Sequence, residues 1–149
     1  MNYGKSVLLS IFNRKGGPGL HTMSFACLDV RQADRILELC AFEPGEEPVV
    51  IALPGEDIWT LITTRRVVHW AEGRLGVVRH SDIVAVEPAQ FGAVAKEQMH
   101  LLRIRTRRGE SDCVVEIEVG APFSGMWNLL AFVARSNRAR MPVTDVETR

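Results

Sequence analysis

Between residues 58 and 70 the chain reads IWTLITTRRVVHW, and no other stretch limits its fold so tightly. The run is dense in β-branched and aromatic residues, which suit a pleated surface better than a helix. The step Thr64-Arg65-Arg66 interrupts it midway, so two strands folded back on each other are predicted, over 58–63 and 66–71. Once that hairpin is placed, the flanking sequence has to supply its neighbours.

Upstream, an apolar run over 49–53 leads into the turn Pro54-Gly55-Glu56-Asp57. Downstream, Glu72-Gly73 forms a tight turn into a strand over 75–79. Residues 82–87 carry Ile83, Val84 and Val86 and stop at Pro88; after a loop of small and polar residues over 90–97, two longer strands follow, over 99–107 and 113–119. About seven short antiparallel strands are expected. The last element is a helix from 122 to 135, with Phe123, Met126, Trp127, Leu130 and Val133 as its apolar stripe and Pro122 in its first turn. Residues 137–149 are polar and expected to fray. Helix after strands is the order of an α+β, mainly β domain: a small closed or nearly closed barrel plugged by its terminal helix.

The first third is less regular. Residues 7–12 are apolar and read as a short strand or the start of an ordered arm, which Gly16-Gly17-Pro18-Gly19 breaks. Over 22–42 the positions Phe25, Leu28, Ala33, Ile36, Leu37 and Cys40 recur at threes and fours, predicting an amphipathic helix bent near Val30 and firmest over 32–42. The expected organisation is an N-terminal arm and helix over 1–43 packed on or beside the domain, the domain itself over 44–136, and a polar tail over 137–149.

Composition narrows the function classes. At 149 residues and 46% hydrophobic content one domain with a real core is expected. Lys plus Arg and Asp plus Glu number 18 each, so no overall field draws the chain to nucleic acid or an anionic membrane. No apolar run approaches the ~20 residues a bilayer requires. Cys27, Cys40 and Cys113 are an odd count without a close pair, and read as buried thiols in a reducing, cytoplasmic compartment.

The segments LITTRRVV and SDIVAVE carry a resemblance. An apolar strand, threonine, basic pair and apolar strand, followed later by serine, acid, isoleucine, valine and glutamate, is similar to the bacterial pleckstrin-homology-like (PH-like) domains, over roughly residues 35–136. The resemblance implies a PH-like barrel of seven strands in two near-orthogonal sheets, capped by the C-terminal helix. It also implies a binding or assembly module, since some relatives form homo-oligomers. Some eukaryotic relatives bind phosphoinositides through a basic loop between the first two strands; here that loop is Pro54-Gly55-Glu56-Asp57, which is acidic, so that role is not carried over.

Three candidate sites follow from the residues. Lys15-Gly16-Gly17-Pro18-Gly19-Leu20-His21-Thr22 resembles the deviant phosphate loop of partitioning ATPases, but Leu20 stands where a second lysine must reach the phosphates and His21 where a hydroxyl must hold magnesium. A glycine-rich connector is the better reading. Arg103, Arg105 and Arg107 share one strand face, and folding back with apolar faces matched sets Arg105 beside Glu116 and Arg103 beside Glu118, leaving Arg107 and Arg108 as a remaining anion site. In a compact barrel Arg65, Arg66, Arg79 and His80 would gather near one rim, where a small anionic ligand or lipid headgroup could dock; solvated strand-end arginines are the better reading. Four dispersed histidines, without a metal-ligand spacing or a nucleophile elbow, point to no enzyme, no metal and no cofactor. The expected function is a non-catalytic module acting through a protein partner or as a homo-oligomer; the alternative is the anionic-ligand rim.

Overall fold

The computed structural model describes residues 3–55, 57–89, 99–107 and 112–140. Among these residues three α-helices and eight strands follow one another: α1 (Lys5–Arg14), β1 (Thr22–Ser24), α2 (Val30–Cys40), β2 (Pro48–Gly55), β3 (Ile58–Thr63), β4 (Arg66–Ala71), β5 (Arg74–Arg79), β6 (Ile83–Ala89), β7 (Met99–Thr106), β8 (Cys113–Glu118) and α3 (Ala121–Ala139). The chain is α+β and mainly β. Every strand pairing is antiparallel, in a five-stranded sheet ordered β1-β2-β3-β4-β5 and a three-stranded sheet ordered β6-β7-β8.

The five-stranded sheet is covered on both faces, which explains why its central strands read as unbroken apolar runs rather than alternating ones. One face presents the row Val50, Ile62, Val67, Val78, and this row joins the core made with α1 and α3. The opposite face presents the row Ile51, Leu61, Val68, Val77, and its first three members pack under Ile36 and Cys40 of α2. A bulge between Pro48 and Val50 puts Val49 and Val50 into the same core although they are neighbours in sequence.

Several expectations need correction. The sheets do not close into a barrel: among the described residues no ladder joins them, and side chains of α1 and α3 share one core with both sheets. Residues 7–12 form neither strand nor arm but the body of α1. Leu8, Ile11 and Phe12, spaced at three and four, are all buried in the main core, so the N-terminal segment is part of the domain. The helix predicted over 22–42 is three elements. Asp29 accepts hydrogen bonds from the Arg31 and Gln32 N–H groups and thereby starts α2 at Val30, while the residues ahead of it form β1 and a single 3-10 turn. β1 adds an eighth strand to the seven expected. At the other end α3 runs to Ala139, and Asn137, assigned to a fraying tail, is buried inside the fold. The loop over 90–97 and residues 141–149 lie outside the described residues.

α1 crosses α3 at close range. A Cβ on Gly16 would stand 1.9 Å from the Ala121 carbonyl oxygen and 2.6 Å from the Gly125 nitrogen, both backbone atoms that cannot swing aside. A Cβ on Gly125 would in turn meet the Phe12 ring at 2.8 Å. Gly16→Ala is therefore expected to push α1 off α3 and cost about 2 kcal/mol or more, whereas Gly55→Ala, with nothing within 4 Å, is expected to be nearly neutral. Urea unfolding of the two variants checks this, and equal stability would contradict the packing.

Candidate functional site

The turn between β3 and β4 is densely hydrogen-bonded, and it contains the basic pair. The Thr63 hydroxyl oxygen accepts from the Arg65 and Arg66 N–H groups at 3.1 and 3.0 Å, closing the turn, and donates to the Glu46 carboxylate at 2.6 Å. Glu46, its side chain fully buried, also receives the Arg66 Nε–H at 2.8 Å and the Glu43 N–H at 3.0 Å. A second Arg66 nitrogen donates to the Cys40 and Ala41 carbonyls at 2.8 and 3.2 Å. Those oxygens sit at the negative end of the α2 dipole, so Arg66 caps that helix while it neutralises Glu46. Burial pushes the Glu46 carboxyl up, but the hydrogen bonds from Arg66, Thr63 and Glu43 outweigh it and hold the group below the usual carboxylate range.

The cluster continues inward. One His80 ring nitrogen lies 2.7 Å from the Thr63 carbonyl oxygen, and the His80 N–H donates to Arg65 O at 2.9 Å. Asn137 of α3 donates to the His80 and Ile83 carbonyls, and its own oxygen accepts from the Tyr3 hydroxyl at 3.4 Å. The Tyr3 ring stands edge-on to His80, and the Tyr3 N–H donates to Thr64 O at 2.9 Å. Burial lowers the His80 pKa to about 4, so the ring is neutral near pH 7.

The structure thus brings Arg65, Arg66, Arg79 and His80 together, as expected for a rim, but commits most of their charge internally. Arg66 is buried against Glu46, and Arg79 makes a two-pronged pair with Glu43 at 3.1 and 3.3 Å, which lowers the Glu43 pKa and raises that of Arg79. Arg65 is half-buried beside Gly45. Arg107 is exposed just past the end of β7, its N–H on Asp82 O, and Arg108 lies outside the described residues.

Arg103 and Arg105 of the stripe share one carboxylate, and it is a different acid than expected. β7 and β8 pair Arg103 with Val114 and Leu101 with Glu116, so neither predicted pair forms. Instead Glu87 of β6 meets Arg105 at 2.8 Å and Arg103 at 3.7 Å. Sliding β8 by an even number of residues leaves its apolar face inward, so alternation alone cannot fix this register.

The glycine-rich loop is a packing device. Gly16 touches the start of α3, a Cβ on Gly19 would lie 2.5 Å from the Pro122 ring and 2.6 Å from Glu118, and the His21 N–H donates to the Glu118 carboxylate at 2.8 Å. A carboxylate at that position repels a phosphate. Cys40 and Cys113 are buried, with thiols pushed up to about 11 by burial, whereas Cys27 is exposed, contrary to the expectation for all three. A cleft of about 240 Å³ opens where β3 and β4 face β8, lined by Thr60, His69, Trp70, Leu101 and Glu116. Among the described residues no group of three His, Cys, Asp or Glu side chains could hold a metal, and no helix is long and apolar enough to cross a membrane.

A different feature was missed at the sequence level. β5 ends the five-stranded sheet, and its Leu75 and Val77 are 39% and 45% exposed. The row under α2 runs Ile51, Leu61, Val68, Val77, and beside it Trp59, Trp70 and Leu75 form another; among the described residues both run out uncovered at the same strand, whose outer edge has no partner. The alternation of Leu75 and Val77 with Arg74 and Gly76 was the available signal. Comparison with protein-family models, with curated proteins and with solved structures matches none of them to this chain.

The cluster makes a pH prediction. His80 binds a proton in the unfolded chain below about pH 6.5 but in the folded state only near pH 4, so its contribution to stability is complete above pH 6.5 and is lost as pH falls toward 4. The full difference corresponds to about 3 kcal/mol. Urea unfolding at pH 7 and pH 4.5 is expected to give a markedly shallower pH dependence for His80→Gln than for the unsubstituted chain. Equal slopes would contradict a buried neutral imidazole.

Proposed function

We propose that this chain is a non-catalytic interaction module on a pleckstrin-homology-like plan, acting through protein contact. The observation that carries this reading is the β5 edge, where two apolar rows reach an unpaired strand. An exposed edge of N–H and C=O groups flanked by apolar side chains is matched by an added β-strand. The division of the seven expected strands into four (β2–β5) and three (β6–β8) ahead of a terminal helix supports the plan that the sequence resembles. The basic rim supports an anionic-ligand site poorly, because Arg66 and Arg79 already hold Glu46 and Glu43.

Self-association is the form of protein contact that can be read on the isolated chain. Sedimentation equilibrium from micromolar to millimolar protein is expected to give a mass that rises above the monomer with concentration. A monomer mass across the whole range would contradict it.

A further inference from the structure

Resting on that reading, we infer that the partner of β5 is β5 of a second copy, paired antiparallel about a two-fold axis through Gly76. In β5, Leu75, Val77 and Arg79 lie on the α2 face, and Arg74, Gly76 and Val78 on the other. Residues directly opposite each other in an antiparallel pair share a face, so an added copy of the same strand keeps the α2 faces aligned only in every second register.

Three such registers centre near the middle of the strand. One sets Leu75 against Leu75 of the second copy but leaves Val77 opposite Gly73. Another sets Val77 against Val77 and Leu75 opposite the charged Arg79. The register about Gly76 sets Leu75 opposite Val77 twice, apolar on apolar at both contacts. It also sets Arg79 opposite Gly73 and Arg74 opposite Val78, which keeps the four arginines apart. Arg79 remains turned to its own Glu43.

This register also continues what the sheet has begun. The row Ile51, Leu61, Val68, Val77 passes into Leu75, Trp70 and Trp59 of the second copy, and the reverse row does the same. Both α2 helices then lie on one face of a continuous ten-stranded sheet. The surface is self-complementary, as a two-fold interface must be. The His69 ring lies over Gly76, and a Cβ there would stand 2.1 Å from it, so a side chain at this position requires His69 to move. Strand β1, at the other end of the sheet, has three residues and offers a far shorter edge.

The register is tested by disulfide trapping on a Cys27→Ser background, because Cys27 is the exposed thiol among the three cysteines. Directly opposed Cβ atoms lie about 5 Å apart and can be bridged, whereas diagonal ones at about 7 Å are bridged poorly. Mixing Leu75→Cys chains with Val77→Cys chains under oxidised glutathione is expected to give a cross-linked dimer, with each variant alone giving at least about tenfold less. Val77→Lys, at an exposed position, is expected to keep the melting temperature and weaken association by about tenfold or more. If the mass rises with concentration but the mixture does not cross-link preferentially, or Val77→Lys associates normally, this inference is overturned while the module reading stands. A strict monomer at every concentration overturns this inference together with self-association, and leaves contact with a different protein as the remaining form of the module reading.

Discussion

Glu46 and Arg66 are an ion pair removed from water, and the rest of the fold is arranged so that both can stay there. An isolated buried charge costs several kcal/mol, so a pair of this kind persists only when every remaining donor and acceptor is met. Here Glu46 accepts from Arg66, from the Thr63 hydroxyl and from the Glu43 N–H, and Arg66 directs a second nitrogen, Nη2, to the last carbonyls of α2. These partners come from the β3–β4 turn, the end of α2 and the approach to β2. His80 and Asn137 then extend the same network to the start of β6 and to α3. One turn therefore fixes how α2 and α3 are hung on opposite faces of the sheet.

That arrangement accounts for the distribution of apolar surface. Because β2 and β3 are covered on both sides, α1 and α3 must close one face and α2 the other. α2 is eleven residues long and reaches only as far as β4 with its buried side chains. The two rows beneath it continue one strand further, and the open edge of β5 is a consequence of that mismatch between sheet width and helix coverage.

What could be read from the sequence follows from which signals are local. The hairpin of β3 and β4, the Glu72-Gly73 turn with both residues at positive φ, and the apolar stripe of α3 each depend on neighbours within a few positions, and the structure places them where expected. The basic pair was visible but its partner was not, because Glu46 sits among Pro44, Gly45 and Glu47 with nothing local to mark which acid turns inward. Asn137 looked like the start of a polar tail for the same reason: its three partners lie 54, 57 and 134 residues away. The β7–β8 register failed on a symmetry of the pattern, and α1 failed on length, since a six-residue run with five apolar positions suits either period. Of the candidate rim, the clustering of Arg65, Arg66, Arg79 and His80 was legible, and the internal use of Arg66 and Arg79 was not.

The central claim is that the basic pair serves the fold through Glu46. A double-mutant cycle with Glu46→Gln, Arg66→Met and the combined variant, followed by urea unfolding, measures that coupling directly. Each single change is expected to cost about 3 kcal/mol, because it strands a buried partner, and the double to cost less than the sum by about 2 kcal/mol. Additive, near-neutral effects would show that Arg66 and Glu46 do not depend on each other, and would return the arginine to the surface as a residue available for a ligand.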